Sequence, residues 1–292
     1  MKSLFDTAPE MKITAIAPWF GGKRTMAPMV VQELGKHSAY WEPFCGSMSV
    51  LLQKPESSHE TVNDLHGDLI NLARVIASAD TVGEFYDRLS KVLFDEKRRE
   101  CSLQHLEIPD LPPVERAFHY FIVNWFGRNG FSGTVGCDKS SFAVRWTPGG
   151  GHGGQRFASA VDSIPAWHER LRRVTILSRD AFKIIAKIDD HPRVAIYCDP
   201  PYLVKAAKYT HDFADEHHQR LASLLSRFQE SRVVVSYYRH PHLEILYPKD
   251  RWTHRDCSRS KGLHNAGKRG QEGTEAPEVL IINGPSYAEA VQ

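Results

Sequence analysis

A chain of 292 residues, 41% of them hydrophobic, is long enough to bury a full core in one large domain or in a domain carrying an insertion. No apolar run approaches the roughly 18 to 20 residues that span a bilayer, which argues against a helical membrane protein. With 37 Lys and Arg against 35 Asp and Glu, the net charge of +2 does not by itself announce a nucleic-acid binder.

The charge is nevertheless unevenly placed. Ser231 to Gly270 holds nine Lys or Arg against three acids, and Lys139 to Ile176 holds six against two. Local excess of this kind can track phosphates in a nearly neutral protein. The start, MKSLFDTAPEMKITAIAPW, has no apolar signal core, so a cytoplasmic protein is expected. The five cysteines, Cys45, Cys101, Cys137, Cys198 and Cys257, are scattered and form no Cys-x-x-Cys pair. They signal neither a disulfide framework nor a zinc cluster. The one tight histidine group, HDFADEHHQRL, has no Glu between helically spaced His and no cysteine nearby, so no metal is expected.

In chain order, PWFGGKR comes first, offering Trp19 for stacking, two glycines for a tight turn and Lys23 as a charge for a carboxylate. AYWEPF (39 to 44) then reads as a strand running into CGSMSV, and ETVND (60 to 64) as a strand ending in Asp64. The helix-like runs MSVLLQK and LINLARVIA follow them. Between Ala77 and Arg173 the alternation stops. Helices are expected in EFYDRLSKVLFDEKRREC and VERAFHYFIVNWF, then a hairpin around SFAVRW, with GGGHGG as a flexible linker closing the segment. VTILSRD (174 to 180) and VAIYCD (194 to 199) are two more strands ending in acids, Asp180 and Asp199, followed by helices AFKIIAKI and EHHQRLASLLSRFQ. RVVVSYY (232 to 238) continues the pattern, and EVLIIN (278 to 283), with no helix after it, is expected at an edge or antiparallel. Strand then helix, repeated, predicts an α/β fold with a mainly parallel sheet covered on both sides. Ligands of such sheets bind beyond the carboxyl ends of the strands, where these acids fall.

The stretch DPPY carries the sharpest chemistry. Pro200 holds Asp199 extended, and neither proline donates an amide hydrogen. What is left is a rigid set of acceptors, the Asp199 carboxylate and nearby carbonyls, beside the flat ring of Tyr202. Such a set suits an amino group with two hydrogens on a planar heterocycle. Gly46 lets backbone approach a ligand, Asp64 lies eighteen residues on and suits ribose hydroxyls, and Asp180 could accept from an adenine amino group.

The order PWFGGK, YWEPFCGS, TVND, an insertion, DPPY and EVLIIN resembles the Dam-like, α-group (D12 class) family of S-adenosylmethionine-dependent DNA adenine N6-methyltransferases. The resemblance implies a three-layer Rossmann-like methyltransferase domain from 1–75 and 176–292, with 76–175 as a mostly helical inserted target-recognition domain. It implies S-adenosylmethionine as donor, surrounded by Trp19, Lys23, Phe44, Gly46, Asp64, Asp180 and Asp199. It implies that Asp199, Pro200, Pro201 and Tyr202 hold a flipped-out adenine of double-stranded DNA. The expected assembly state is a monomer or weak dimer. Arg128 and Asn129 are expected to read base edges, and Lys139, Arg145 and Arg156 to meet phosphates. Three departures stand out: Met48 replaces a frequent second glycine, Ala181 separates Asp180 from Phe182, and Ala214 occupies a capping position that Asp212 or Asp215 would have to serve. Methyl transfer to cytosine N4, an RNA base or a glutamine side chain, an inactive DNA-binding relative, and a dinucleotide oxidoreductase are the alternatives. The last lacks Gly-x-Gly-x-x-Gly, having GSMSVL instead.

Overall fold

A computed structural model describes residues 10–128, 141–144, 146, 151–203, 213–257, 259–260 and 275–288. Its centre is a seven-stranded sheet of β1 (Ala39–Glu42), β2 (His59–Asn63), β3 (Thr175–Leu177), β4 (Val194–Cys198), β5 (Arg232–Tyr238), β6 (Trp252–Asp256) and β9 (Glu278–Asn283), in the order β3-β2-β1-β4-β5-β9-β6. The first five run parallel, and β9 lies antiparallel to both neighbours. The expected α/β fold with a mainly parallel sheet is therefore present. The closing run EVLIIN is antiparallel but does not sit at an edge, because β6, which the sequence reading did not find, pairs outside it. A short ribbon, β7 (Arg259–Ser260) with β8 (Glu275–Ala276), stands apart from the sheet.

Strand alternation sends side chains to two cores. Ala195 and Tyr197 of β4 face one, with Val234, Leu280 and Ile282; Ile196 and Cys198 face the other, with Val233, Val235, Tyr237 and Ile281. The second core is covered by α7 (Ala181–Ile185), α8 (Asp215–Leu225) and α9 (Leu243–Leu246). The first is covered by α1 (Ala27–Leu34), α2 (Gly67–Ala77), α3 (Ala79–Ser90), α5 (Pro113–Phe126) and α6 (Gly153–Leu171), with α4 (Glu96–Leu106) packed on α5. Both faces are thus buried, as a parallel sheet requires. Among the described residues no helix is long and apolar enough to cross a membrane.

Three local expectations are corrected. MSVLLQK forms a succession of turns, because Met48 has φ = +60°, which breaks helical propagation at its first residue. The end of GGGHGG is no linker: Gly153 and Gly154 open the nineteen-residue α6, with His152 Nδ1 accepting from Gly154 N. A Cβ at Gly153 would lie 2.7 Å from the Phe94 ring and 3.0 Å from the Ala143 carbonyl oxygen, so glycine serves close packing there. Finally, Asp215 is the first residue of α8 and not its cap; His217 Nδ1 accepts from Ala214 N at 2.9 Å, and Asp212 lies outside the described residues.

The helices between 79 and 171 share one continuous core with the sheet. Phe85, Phe121, Ile164 and Trp167 are fully buried there beside Tyr40 and Val62. Trp167 Nε1 donates to the Ile13 carbonyl, and Arg170 pairs with Glu60, at the start of β2. The boundaries expected at 75/76 and 175/176 fall inside α2 and β3.

Candidate active site

The order of the sheet reverses between β1 and β4, and the chain emerging from these two strands carries Pro43, Phe44 and Gly46 on one side and Asp199 to Tyr202 on the other. A crevice at such a reversal is where doubly wound sheets bind ligands. Here it is a cleft of about 310 Å³. Trp19, Lys23, Phe44, Gly46, Asp64, Asp180, Asp199, Pro200, Pro201 and Tyr202 all line it, so every expected donor and target residue meets in one cavity.

Each acid at a strand end is held in place by hydrogen bonds. Asp64, just after β2, accepts from Gly46 N through Oδ2 and from His66 N through Oδ1, both at 2.9 Å. Asp180 caps α7, its Oδ1 accepting from Phe182 N at 2.8 Å. Asp199 accepts from Ser236 Oγ through Oδ1 at 2.7 Å and meets Lys23 Nζ through Oδ2 at 3.0 Å. The ends of β1, β2 and β3 are tied together by Asn63, which is 2% exposed: its amide donates to the Pro43 and Arg179 carbonyls and accepts from Arg179 N.

Lys23, expected as a charge for a carboxylate, meets the carboxylate of this chain's own Asp199. It is 5% exposed, bonded to the Gly21 carbonyl at 2.7 Å and to Asp199, and its ammonium lies 4.9 Å from the Tyr202 ring centroid. Tyr202 is itself packed edge-on to Tyr238 at 4.5 Å. Behind this group Glu42 is buried, with Tyr40 donating to Oε2 at 2.9 Å. Burial pushes the Glu42 carboxyl up to about 8, and the nearby Asp199 charge acts in the same direction.

Several lining residues were not expected. Phe182 stacks on Phe213 at 5.8 Å with 15° between planes, Phe213 meets Phe44 edge-on, and Arg220 lies over Phe182. His66, whose Nδ1 caps α2, packs between Trp19 and Tyr120 of α5. Phe182 was within reach of sequence reasoning, being two residues from Asp180. Phe213 and Tyr238 arrive from later segments with no local signal of a shared cleft.

The expected DNA-reading residues are only partly described. Arg128 is exposed at the end of α5, its guanidinium donating to the Val144 carbonyl and its amide to Ser141, where Gly127 and Phe142 form an antiparallel bridge. Arg156, expected on phosphates, donates to the Trp125 and Gly127 carbonyls and so satisfies the C-terminal end of α5. Asn129, Lys139 and Arg145 lie outside the described residues. Among those described, no group of three or more His, Cys, Asp or Glu could hold a metal ion.

No curated protein matches the chain. Among solved structures, a precorrin-8w decarboxylase of Methanobacterium thermoautotrophicum is similar at 12% identity and TM-score 0.36, over 96% of this chain and 100% of that one. A precorrin-6y C5,15-methyltransferase of Geobacter metallireducens is similar at 9% and 0.36, over 89% and 84%. Scores this low bear on neither fold nor function. Residues 19–260, by contrast, match the model of the family described as D12 class N6 adenine-specific DNA methyltransferase. The chain belongs to that family, a methyltransferase acting on adenine N6 in DNA.

Proposed function

We propose that the cleft binds S-adenosylmethionine as methyl donor and that Asp199, Pro200, Pro201 and Tyr202 hold an adenine flipped out of double-stranded DNA. The observation supporting this is that the aromatic walls, the acids after β2 and β3 and the DPPY acceptors line a single cavity of ligand size. The residues suit the donor chemically. Each Asp64 oxygen accepts one backbone hydrogen and has a lone pair left for a ribose hydroxyl. Phe44, Phe182 and Phe213 offer apolar faces to a purine, and Asp180 has a second oxygen for its amino group. When bound, the donor supplies an electrophilic sulfonium methyl.

The chain's own task is to prepare the amine. An adenine amino nitrogen is a poor nucleophile because its lone pair is delocalised into the ring. Asp199 and the Pro200 carbonyl accept its two hydrogens, which draws the lone pair out of the ring plane and aims it across the cleft. Lys23, 3.0 Å from Asp199 Oδ2, orients the carboxylate. Extruding the base costs a few kcal/mol, offset in part by contact with Tyr202.

Wild-type protein incubated with unmethylated genomic DNA and isotopically labelled S-adenosylmethionine is expected to yield N6-methyladenine on nucleoside mass spectrometry, and Asp199→Ala to yield almost none. Near-normal turnover by Asp199→Ala would sink the assignment of Asp199.

A further inference from the structure

Ser236 sits in the middle of β5, in a run of otherwise apolar and aromatic side chains, and is fully buried. A hydroxyl at such a place costs free energy unless it is bonded. Its Oγ lies 2.7 Å from Asp199 Oδ1 on the adjacent strand's end and 2.9 Å from the Tyr197 hydroxyl, also fully buried. The direction of both bonds follows from chemistry. An ionised Asp199 has no hydrogen to give, so Ser236 donates to it; the Ser236 hydrogen being used, Tyr197 donates to Ser236. The result is a one-way chain, Tyr197 to Ser236 to Asp199, entering the carboxylate from the sheet side. Lys23 engages the other oxygen, Oδ2, at 3.0 Å.

A carboxylate held at one oxygen can still turn about its Cβ–Cγ bond. Held at both, from different elements, it cannot, and its remaining lone pairs keep fixed directions. We propose that Ser236 is a positioning residue for methyl transfer: by donating to Asp199 Oδ1 it fixes the plane of the carboxylate that receives the target amine. Lys23 holds one oxygen, and Ser236 fixes the rotation. Tyr197 acts one bond further back, orienting the Ser236 hydroxyl. The inference rests on Asp199 being the group that receives the amine.

The test uses the labelled-donor assay on unmethylated genomic DNA, with S-adenosylmethionine affinity measured separately by calorimetry. Ser236→Ala should lower kcat on the order of 100-fold, the size of effect expected when a reacting group is misplaced by about 1 Å. Donor affinity should be unchanged, and Ser236→Thr, which keeps the hydroxyl, should restore most of the rate. Combining Ser236→Ala with Asp199→Asn should cost no more than Asp199→Asn alone. Should Ser236→Ala not fold, Ser236→Cys, of nearly equal size but a weak donor, carries the same expectation of reduced kcat. Wild-type kcat in Ser236→Ala or Ser236→Cys, or a loss shared equally by donor affinity, overturns the inference. If Asp199→Asn is inactive in that same assay, the role of Asp199 survives that overturning; if Asp199→Asn is near normal, the earlier reading falls as well.

Discussion

Met48 adopts φ = +60° and is fully buried. An L-residue in that region costs about 1 to 2 kcal/mol, and burying a methionine side chain returns about 1.5 to 3 kcal/mol. Packing therefore outweighs strain at a position where glycine would be unstrained. Gly46, at φ = +44°, has no such compensation open to it: a Cβ there would lie 2.8 Å from Trp19 Nε1. Gly46→Ala should lower stability by about 1 to 2 kcal/mol through backbone strain, and displacing Trp19 should weaken S-adenosylmethionine binding by about tenfold. Thermal melts and calorimetry check the pair, and an unchanged donor affinity would contradict the role given to Trp19. His218 tests the core below α8. It is almost fully buried, its Nδ1 lies 3.0 Å from the Tyr237 hydroxyl, and burial lowers it to about 4. The unfolded chain, near the ordinary 6.5, binds a proton first as pH falls. Its contribution is thus complete above pH 6.5 and is lost toward pH 4. Urea midpoints should drop over that window in the wild type and drop less in His218→Gln; parallel pH curves would refute this. At this scale the acids were legible from sequence because Asp64 and Asp199 directly follow their strands and Asp180 comes three residues after β3. Ser236 was not, because its partner lies 37 positions away and nothing local marks the meeting.

Among the elements, the ends of β1, β2 and β3 form one unit through Asn63. Three bonds from a single buried amide join Pro43, Arg179 and the strand that carries Asp64. Asn63→Ala leaves backbone groups unpaired, each costing about 1 to 3 kcal/mol. Because Phe44, Asp64 and Asp180 would lose their common frame while Asp199 on β4 would not, KM for the donor should rise more than kcat falls. Steady-state kinetics on genomic DNA decides this, and a fall confined to kcat would reverse the assignment of the two halves of the cleft. The alternation of strand and helix was readable because β1, β4 and β5 are largely apolar runs of the right length and β2, though more polar, ends in an acid as β4 does. Helix α6 escaped because it begins with two glycines and contains Pro165, residues that ordinarily end helices. Strand β6, WTHRD, escaped because it pairs at an edge and keeps only Trp252 fully buried.

Over the whole molecule, the segment that interrupts the strand–helix pattern supplies one covering layer of the sheet. Phe121, Ile164 and Trp167 bury against the same cluster as Tyr40 and Val62, so removing them would uncover part of that sheet face. A chain lacking residues 79–171 should fail to fold, giving no near-ultraviolet dichroism and exposing apolar surface to dye. A cooperative melt from that shortened chain would show the layer to be dispensable. The segment reads as an insertion in sequence because its pattern changes; how it packs depends on which of its faces are apolar.

Helix α5 packs against the cleft wall from its middle and reaches the surface just past its C-terminal end. Tyr120 packs on His66 beside Trp19, and seven residues later the chain leaves the helix at Gly127 and Arg128. With a rise of about 1.5 Å and a turn of about 100° per residue, the helix works as a camshaft of fixed throw. Adding one residue between Tyr120 and Gly127 would leave the cleft wall in place yet swing the exit loop about a third of a turn. The angle at which Arg128 leaves the helix is thus geared, through a single rigid rod, to the wall of the cleft.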